Sequence, residues 1–430
     1  LTYSEYHKEP KLLGRSFFVY GIPALRSEIA VTFPENVEVG YKTFNVDSSL
    51  GSFEKKKKGK LTTYTWTSKN TKGLKFFNDA PNFSYYGPHV VIYIKKIKLK
   101  DSIVEVLPNV NALYNWYYSL VDTVNLKKDK ILENIVDSLT KGVAAKDEKA
   151  RLIFNWVQDN IKYVAFEDGM GGFIPRPAST VCHKRYGDCK DMASIITEML
   201  GYAGIEGNLT WIGSRKLPYR YSEIPTPVVD NHMIASYRNK SGDRIFLDAV
   251  GSYTPYGYPT AFIQGKEALV SINKDSFEIK EVPVVAKERN QYVETVNLVI
   301  DGTKMKGRGS IKAKGYAKLD FVYPLINLSG VKRRERLNEL IMKGNNKFLI
   351  QEANYTGLED RDAALSINYN FSLEDYAHES TDELYVNLNL EKELKNLKID
   401  LEERDAVSFK YEYAKDLTSS VSVEIPENYV

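Results

Sequence analysis

Apolar residues first recur at every second position. Ser27–Pro34 alternates, Thr62–Ser68 is rich in β-branched and aromatic residues, and His89–Leu99 continues the pattern. A period of two puts successive side chains on opposite faces of a strand, so residues 1 to about 105 predict β-structure punctuated by Pro, Gly and Asn. The run Glu54–Lys60 falls between two such strands and reads as a solvated hairpin turn rather than a basic docking patch. Near Val110 the period lengthens. Leu113, Trp116, Tyr117 and Leu120 open a first helix, and Ile131, Leu132, Ile135, Val136 and Leu139 mark a second. Ala150, Ile153, Trp156, Val157, Ile161 and Val164 mark a third, with Trp156 on its core-facing stripe.

A Gly- and Pro-rich loop, Glu167–Thr180, comes next. Its Gly169, Gly171 and Gly172 do not make a phosphate loop, because no Gly-Lys-Ser/Thr succeeds them. Met192, Ile196, Met199, Leu200 and Ala203 then predict a helix of about four turns that Gly204 ends. From about Val284 the period returns to two, in Tyr292–Gly302, Met305–Gly315, Ala364–Phe371, Glu383–Leu390 and Ala406–Ala414. One helix, around Lys332–Met342, interrupts these strands. The fold class expected is α+β, in three domains. Residues 1–108 form an N-terminal β-sandwich-like domain, 109–283 an α+β core, and 284–430 a C-terminal β-sandwich-like domain with one helix.

Composition narrows the function. The chain has 430 residues, 43% of them hydrophobic and 27% charged, which is ordinary for a globular protein. A net charge of +3 gives no electrostatic reason to expect nucleic acid as a partner. No apolar stretch reaches the roughly 18 residues of a membrane span, and no signal peptide is visible. The first residue is Leu1, which points to a piece or a processed product of a longer polypeptide. Two cysteines cannot build a disulfide framework.

One of those cysteines stands in the segment RYGDCKD, Arg185–Asp191. Asp188 suits a helix N-cap and would put Cys189 at the first helical position. Free amides and the positive dipole end favour an anion there, and helix N-termini assisted by a cation lower cysteine pKa values. The position suits a nucleophile, and equally a buried core thiol, so possible partners must be weighed. Of five histidines, His7, His89 and His378 lie in or beside β regions, and His183 adjoins Cys182. His232 remains.

Met233–Tyr237 and Arg244–Ala249 read as two strands around the turn Asn-Lys-Ser-Gly. A three-residue loop with Gly242 in the left-handed position pairs Asn239 with Asp243. That register sets Asp248 diagonal to His232 on one face, about 7–8 Å apart between α-carbons. A slip of one residue would separate them. The alternative is a surface hairpin with an exposed His and Asp, but Asp248 interrupts an apolar run where an unpaired carboxylate is costly. A metal reading would use Cys182, His183, Cys189 and His232, yet neither C-x₂-C nor H-x₃-H spacing occurs and Lys184, Arg185 and Lys190 oppose a cation. Neither a metal nor a cofactor is therefore expected, and Cys182 reads as a small buried hydrophobe.

The stretches FNWVQDNIKYV, IPRPASTVCHKRYGDCKDMA, NHMIASY and IFLDAV together resemble the transglutaminase-like superfamily, a branch of the papain-like cysteine enzymes, over roughly residues 126–270. The resemblance implies that Cys189 is the nucleophile, His232 the base and Asp248 its orienting partner. It implies acyl transfer on a peptide or protein amide through a thioester, resolved by water or an amine. The backbone N–H of Cys189 is the obvious oxyanion donor. Gln158 is a weak second candidate, since its helix position could equally face solvent. The flanking β regions resemble those around such cores in bacterial envelope proteins, which implies the periplasm or cell surface. A non-catalytic binding or structural module with a vestigial core is the alternative. Tyr219–Pro227 reads either as a loop over the cleft or as a connector.

Overall fold

The computed structural model describes residues 2, 4–46, 51–77, 79–165, 169–390, 407–408 and 411–427. Contacts divide them into two compact units. One comprises the described residues up to Gly251 with Phe262–Pro283; the other comprises Ser252–Ala261 and most of the described residues from Val284 onward. No helix among the described residues is long and apolar enough to cross a membrane.

The first unit opens with two antiparallel sheets. In one, Arg15–Phe17 and Val37–Phe44 flank His89–Lys98, and Ile103–Glu105 pairs with the far end of that strand. In the other, Ala24–Pro34 and Ser52–Lys58 flank Leu61–Thr71. Phe18, Val19, Trp66, Val90 and Ile92 form a core drawn from both sheets. The lysine run is not mainly a turn. Ser52–Lys58 is a fully paired strand with every side chain exposed, and the reversal is confined to Gly59 and Lys60. Edge position explains this, because exposed lysines guard an unpaired strand edge.

Among the described residues five helices come after these sheets: α1 (Val110–Val121), α2 (Lys130–Thr140), α3 (Lys146–Asn160), α4 (Ala178–Lys184) and α5 (Cys189–Tyr202). They accompany an antiparallel sheet with the order Arg244–Leu247, His232–Arg238, Gly207–Ile212, Glu267–Asn273, Ser276–Glu281. α5 packs on the two strands His232–Arg238 and Gly207–Ile212. On α1, the buried Tyr117 stacks on Trp211 at 5.1 Å between ring centroids, which ties the first helix to the sheet. α3 ends at Asn160, earlier than the apolar spacing through Val164 suggests. Its Trp156 is only half-buried and lies under the Arg185 guanidinium, 5.1 Å from the ring centroid, rather than in the core. The residues after α3 turn extended instead, and Lys162–Tyr163 pairs in parallel with Tyr186–Gly187 just ahead of Cys189.

The second unit has one five-stranded sheet, ordered Phe348–Thr356, Leu365–Leu373, Lys304–Ala313, Gln291–Asp301, Asp416–Glu424. The last strand runs parallel to its neighbour. Among the described residues two helices accompany this sheet, not the single one expected: α6 (Tyr316–Leu325) and α7 (Gly330–Leu340). α6 escaped the periodicity because seven of its ten residues are buried, so no polar face breaks the apolar pattern, and Pro324 lies inside it. In Glu383–Leu390 only Glu383–Tyr385 is a strand. The expected strand Ala406–Ala414 falls partly outside the described residues, and its described residues are not in a strand.

Candidate active site

Asp188 caps α5 as its sequence position demands. Its carboxylate accepts from the Asp191 N–H at 3.2 Å, and the Asp191 carboxylate accepts from the Asp188 N–H at 3.0 Å. Such a reciprocal capping box satisfies two amides that the first turn leaves open, and an N-cap is worth about 1 kcal/mol. Asp191 is itself gripped by Arg176. The Arg176 backbone N–H donates to Oδ1 at 2.7 Å, and Nε and Nη2 donate to Oδ2 at 2.9 and 2.6 Å. Arg176 also donates to the Tyr186 carbonyl at 3.2 Å. Gly187 is required by close approach: a Cβ there would lie 2.6 Å from Asp191 Cβ. The buried Lys190 pairs with Asp188. Thus Pro-Arg-Pro and Gly-Asp-Cys-Lys-Asp form one interlocked cradle with Cys189 at its mouth. The sequence reading missed Arg176, Gly187 and Asp191 as individual parts; the Asp-x-x-Asp spacing of a capping box was the available signal.

The hairpin has the anticipated register. Arg238 faces Arg244 and Ala235 faces Leu247. Gly242 has φ +88°, the Asn239 N–H donates to the Asp243 carbonyl at 2.9 Å, and the Asp243 N–H donates to Asn239 Oδ1 at 2.8 Å. Beyond the end of that ladder, His232 Nε2 meets Asp248 Oδ2 at 3.0 Å. Their side chains are only 8% and 1% exposed. Burial by itself would lower the His232 pKa. The charge and hydrogen bond of Asp248, with smaller contributions of both kinds from Cys189, overcome it and raise the value from 6.5 to about 10. Asp248 engages Nε2, which leaves Nδ1 as the second ring nitrogen. Phe262, 40% exposed, sets its ring edge against the imidazole at 5.1 Å between centroids.

The remaining candidates lie elsewhere. Cys182 is buried in α4, and burial pushes its thiol pKa up. His183 is exposed, with Nδ1 2.6 Å from the Ser179 carbonyl. Among the described residues no group of three or more His, Cys, Asp or Glu side chains is placed to hold a metal. Gln158 is buried on α3, not solvent-facing. The segment from Tyr219 to Pro227 is a pinned connector: Tyr219, Tyr221 and Ile224 are buried, and the Lys266 ammonium donates to the carbonyls of Leu217 and Tyr219 at 2.6 and 3.0 Å.

Two further buried groups were not anticipated. Asp230, two residues before His232, accepts from Tyr117 at 2.8 Å and Tyr221 at 2.9 Å. Desolvation raises its pKa to about 7, against the lowering effect of both hydroxyls. His89 is fully buried where the N-terminal sheet meets the connector. Its Nδ1 lies 2.8 Å from the Gly87 carbonyl and its Nε2 2.7 Å from the Tyr219 hydroxyl.

Residues 133–211 match the family model of the transglutaminase-like superfamily. That stretch runs from α2 to the strand Gly207–Ile212 and contains Cys189. The middle of the chain is a transglutaminase-like core of mixed α+β structure. No curated protein sequence matches the chain. Among solved structures, a candidate protease of Parabacteroides distasonis is similar over 89% of this chain and 72% of its own, with a TM-score of 0.51 and 11% identity, which shows a shared fold. A candidate cysteine protease of Cytophaga hutchinsonii matches over 56% of this chain and 73% of its own (TM-score 0.24, 13% identity). LapG of Legionella pneumophila matches over 34% and 73% (TM-score 0.22, 18% identity). These last two likenesses are too weak to add to the fold argument.

Proposed function

We propose that this chain is a cysteine-dependent acyl-transfer enzyme acting on amide bonds of peptides or proteins. The observation that carries the reading is the buried His232–Asp248 hydrogen bond beside a cysteine that opens a capped helix. Cys189 is the nucleophile, His232 the proton carrier and Asp248 its orienting partner. His232 takes the proton from Cys189 Sγ as the sulfur attacks, and Asp248 stabilises the imidazolium that forms. The sulfur attacks the amide carbonyl carbon and the oxyanion collapses. The C–N bond breaks as His232 hands its proton to the departing amine, leaving a thioester. Water or a second amine, deprotonated by His232, attacks the thioester and releases the thiol. The Cys189 backbone N–H, one of the free amides of the first turn of α5, supports the oxyanion. Placement in the periplasm or at the cell surface is part of this proposal and rests on the flanking resemblance alone; cell fractionation tests it.

Iodoacetamide labelling and subsequent peptide mapping test the site. Labelling confined to Cys189, and slowed at least about tenfold at pH 7 by His232→Ala, is the expected result. Slow labelling of both cysteines, insensitive to His232, would instead favour a non-catalytic module with a vestigial core. With a peptide amide that turns over, Cys189→Ala lowers kcat by about 10⁴-fold or more.

A further inference from the structure

The exposed face of the C-terminal sheet carries two polar rows that run across its strands. In the first, Asn297 faces Arg308, Arg308 faces Asn370, and Asn370 faces Glu352. In the second, Thr295 faces Ser310, Ser310 faces Asn368, and Asn368 faces Asn354. Each row steps over four strands, about 14 Å at the usual inter-strand spacing of about 4.8 Å. The two rows line a single hollow of about 260 Å³.

The residue choice is not that of a face shaped only to meet water. Asn is depleted from strands, whereas Thr is favoured in them. Yet four of these eight mid-strand positions are Asn; Asn354, Asn368 and Asn370 are adjacent on two paired strands, and Asn297 lies across the Lys304–Ala313 strand from Asn370. Asn297 Oδ1 already accepts from the Ser422 hydroxyl at 2.5 Å and Asn370 Nδ2 donates to Glu352 at 3.4 Å; the donors and acceptors that remain are the pattern that pairs with adjacent hydroxyl groups. Arg308 and Glu352 share a row, so their charges cancel and the row does not select a polyanion. An extended track of carboxamides and hydroxyls, neutral in sum, matches a neutral linear glycan. We propose that this face binds a neutral oligosaccharide of a few sugar units, laid across the strands along the two rows. The inference is independent of the thiol chemistry, because none of its residues belongs to the core that carries Cys189.

Isothermal titration of the full chain with cellotetraose, mannotetraose and N-acetylchitotetraose tests it. Saturable binding of at least one is expected. Asn368→Thr with Asn370→Thr should weaken that binding at least about tenfold while leaving the thermal midpoint unchanged or higher, since Thr is the better strand former. Asn297→Thr, on a different strand, should weaken it as well, and the alkylation rate of Cys189 should not move in either variant. The proposal is overturned if none of the three saccharides binds, or if the Asn→Thr variants bind as the parent does.

Discussion

His89 and His232 are both buried, and each is fixed by hydrogen bonds, yet they titrate in opposite directions. His89 sits between the N-terminal sheet and the core, against a carbonyl and a tyrosine hydroxyl. Burial lowers its pKa, Arg15 adds to that, and the Gly87 carbonyl only partly offsets them. His232 sits in the core hairpin against a carboxylate, and its pKa rises to about 10. Burial penalises the imidazolium at both places. What differs is the charge of the partner. Neutral hydrogen-bond partners with a cation nearby favour the neutral imidazole; a carboxylate partner favours the imidazolium.

The largest effect expected comes from converting one environment into the other. Asp248→Asn keeps the hydrogen-bonding shape and removes the charge, so burial is opposed only by the smaller effect of Cys189. The His232 titration should fall from about 10 to below the ordinary 6.5. The alkaline limb of kcat/KM should move down with it, and turnover at neutral pH should drop by about 10³–10⁴-fold. A pH–rate profile that keeps its alkaline limb in the variant would break the comparison.

Next in size is the effect on stability. His232 has its folded pKa above the unfolded value, so its contribution is complete below about pH 6.5 and is lost as pH rises toward about 10. On the order of a few kcal/mol should disappear from the urea unfolding free energy over that window, and Asp248→Asn should abolish the loss. His89 has the opposite sign. Its folded pKa is depressed, so its contribution is present above about pH 6.5 and is lost as pH falls below it. His89→Gln should flatten that acid slope.

Tyr219→Phe sharpens the neutral side of the contrast. It leaves the buried His89 Nε2 without its hydroxyl partner and should cost about 1–3 kcal/mol in urea denaturation, with Cys189 labelling unchanged. The smallest effect belongs to the second thiol. Cys182→Ala removes a small buried side chain, should cost about 1 kcal/mol, and should leave the mapped labelling at Cys189 intact.

Local chemistry made much of this readable in the chain. Asp188 and Gly204 bracket α5, because caps act within one turn. Gly242 set the hairpin register, and with it the diagonal placement of His232 and Asp248, because a strand's side chains alternate strictly. The helix α6 and the burial of Gln158 were not readable. A segment with seven of ten residues buried loses most of the polar–apolar contrast that periodicity needs, and a polar residue's burial depends on what packs over it. Arg176 on Asp191, and His89 under Tyr219, join positions 15 and 130 residues apart. The sequence by itself determined which side chains could cap, turn and alternate, since those preferences are local. Only the tertiary structure decided which partner each buried charge met, and so which histidine holds its proton, because that depends on desolvation and on contacts between residues distant in the chain.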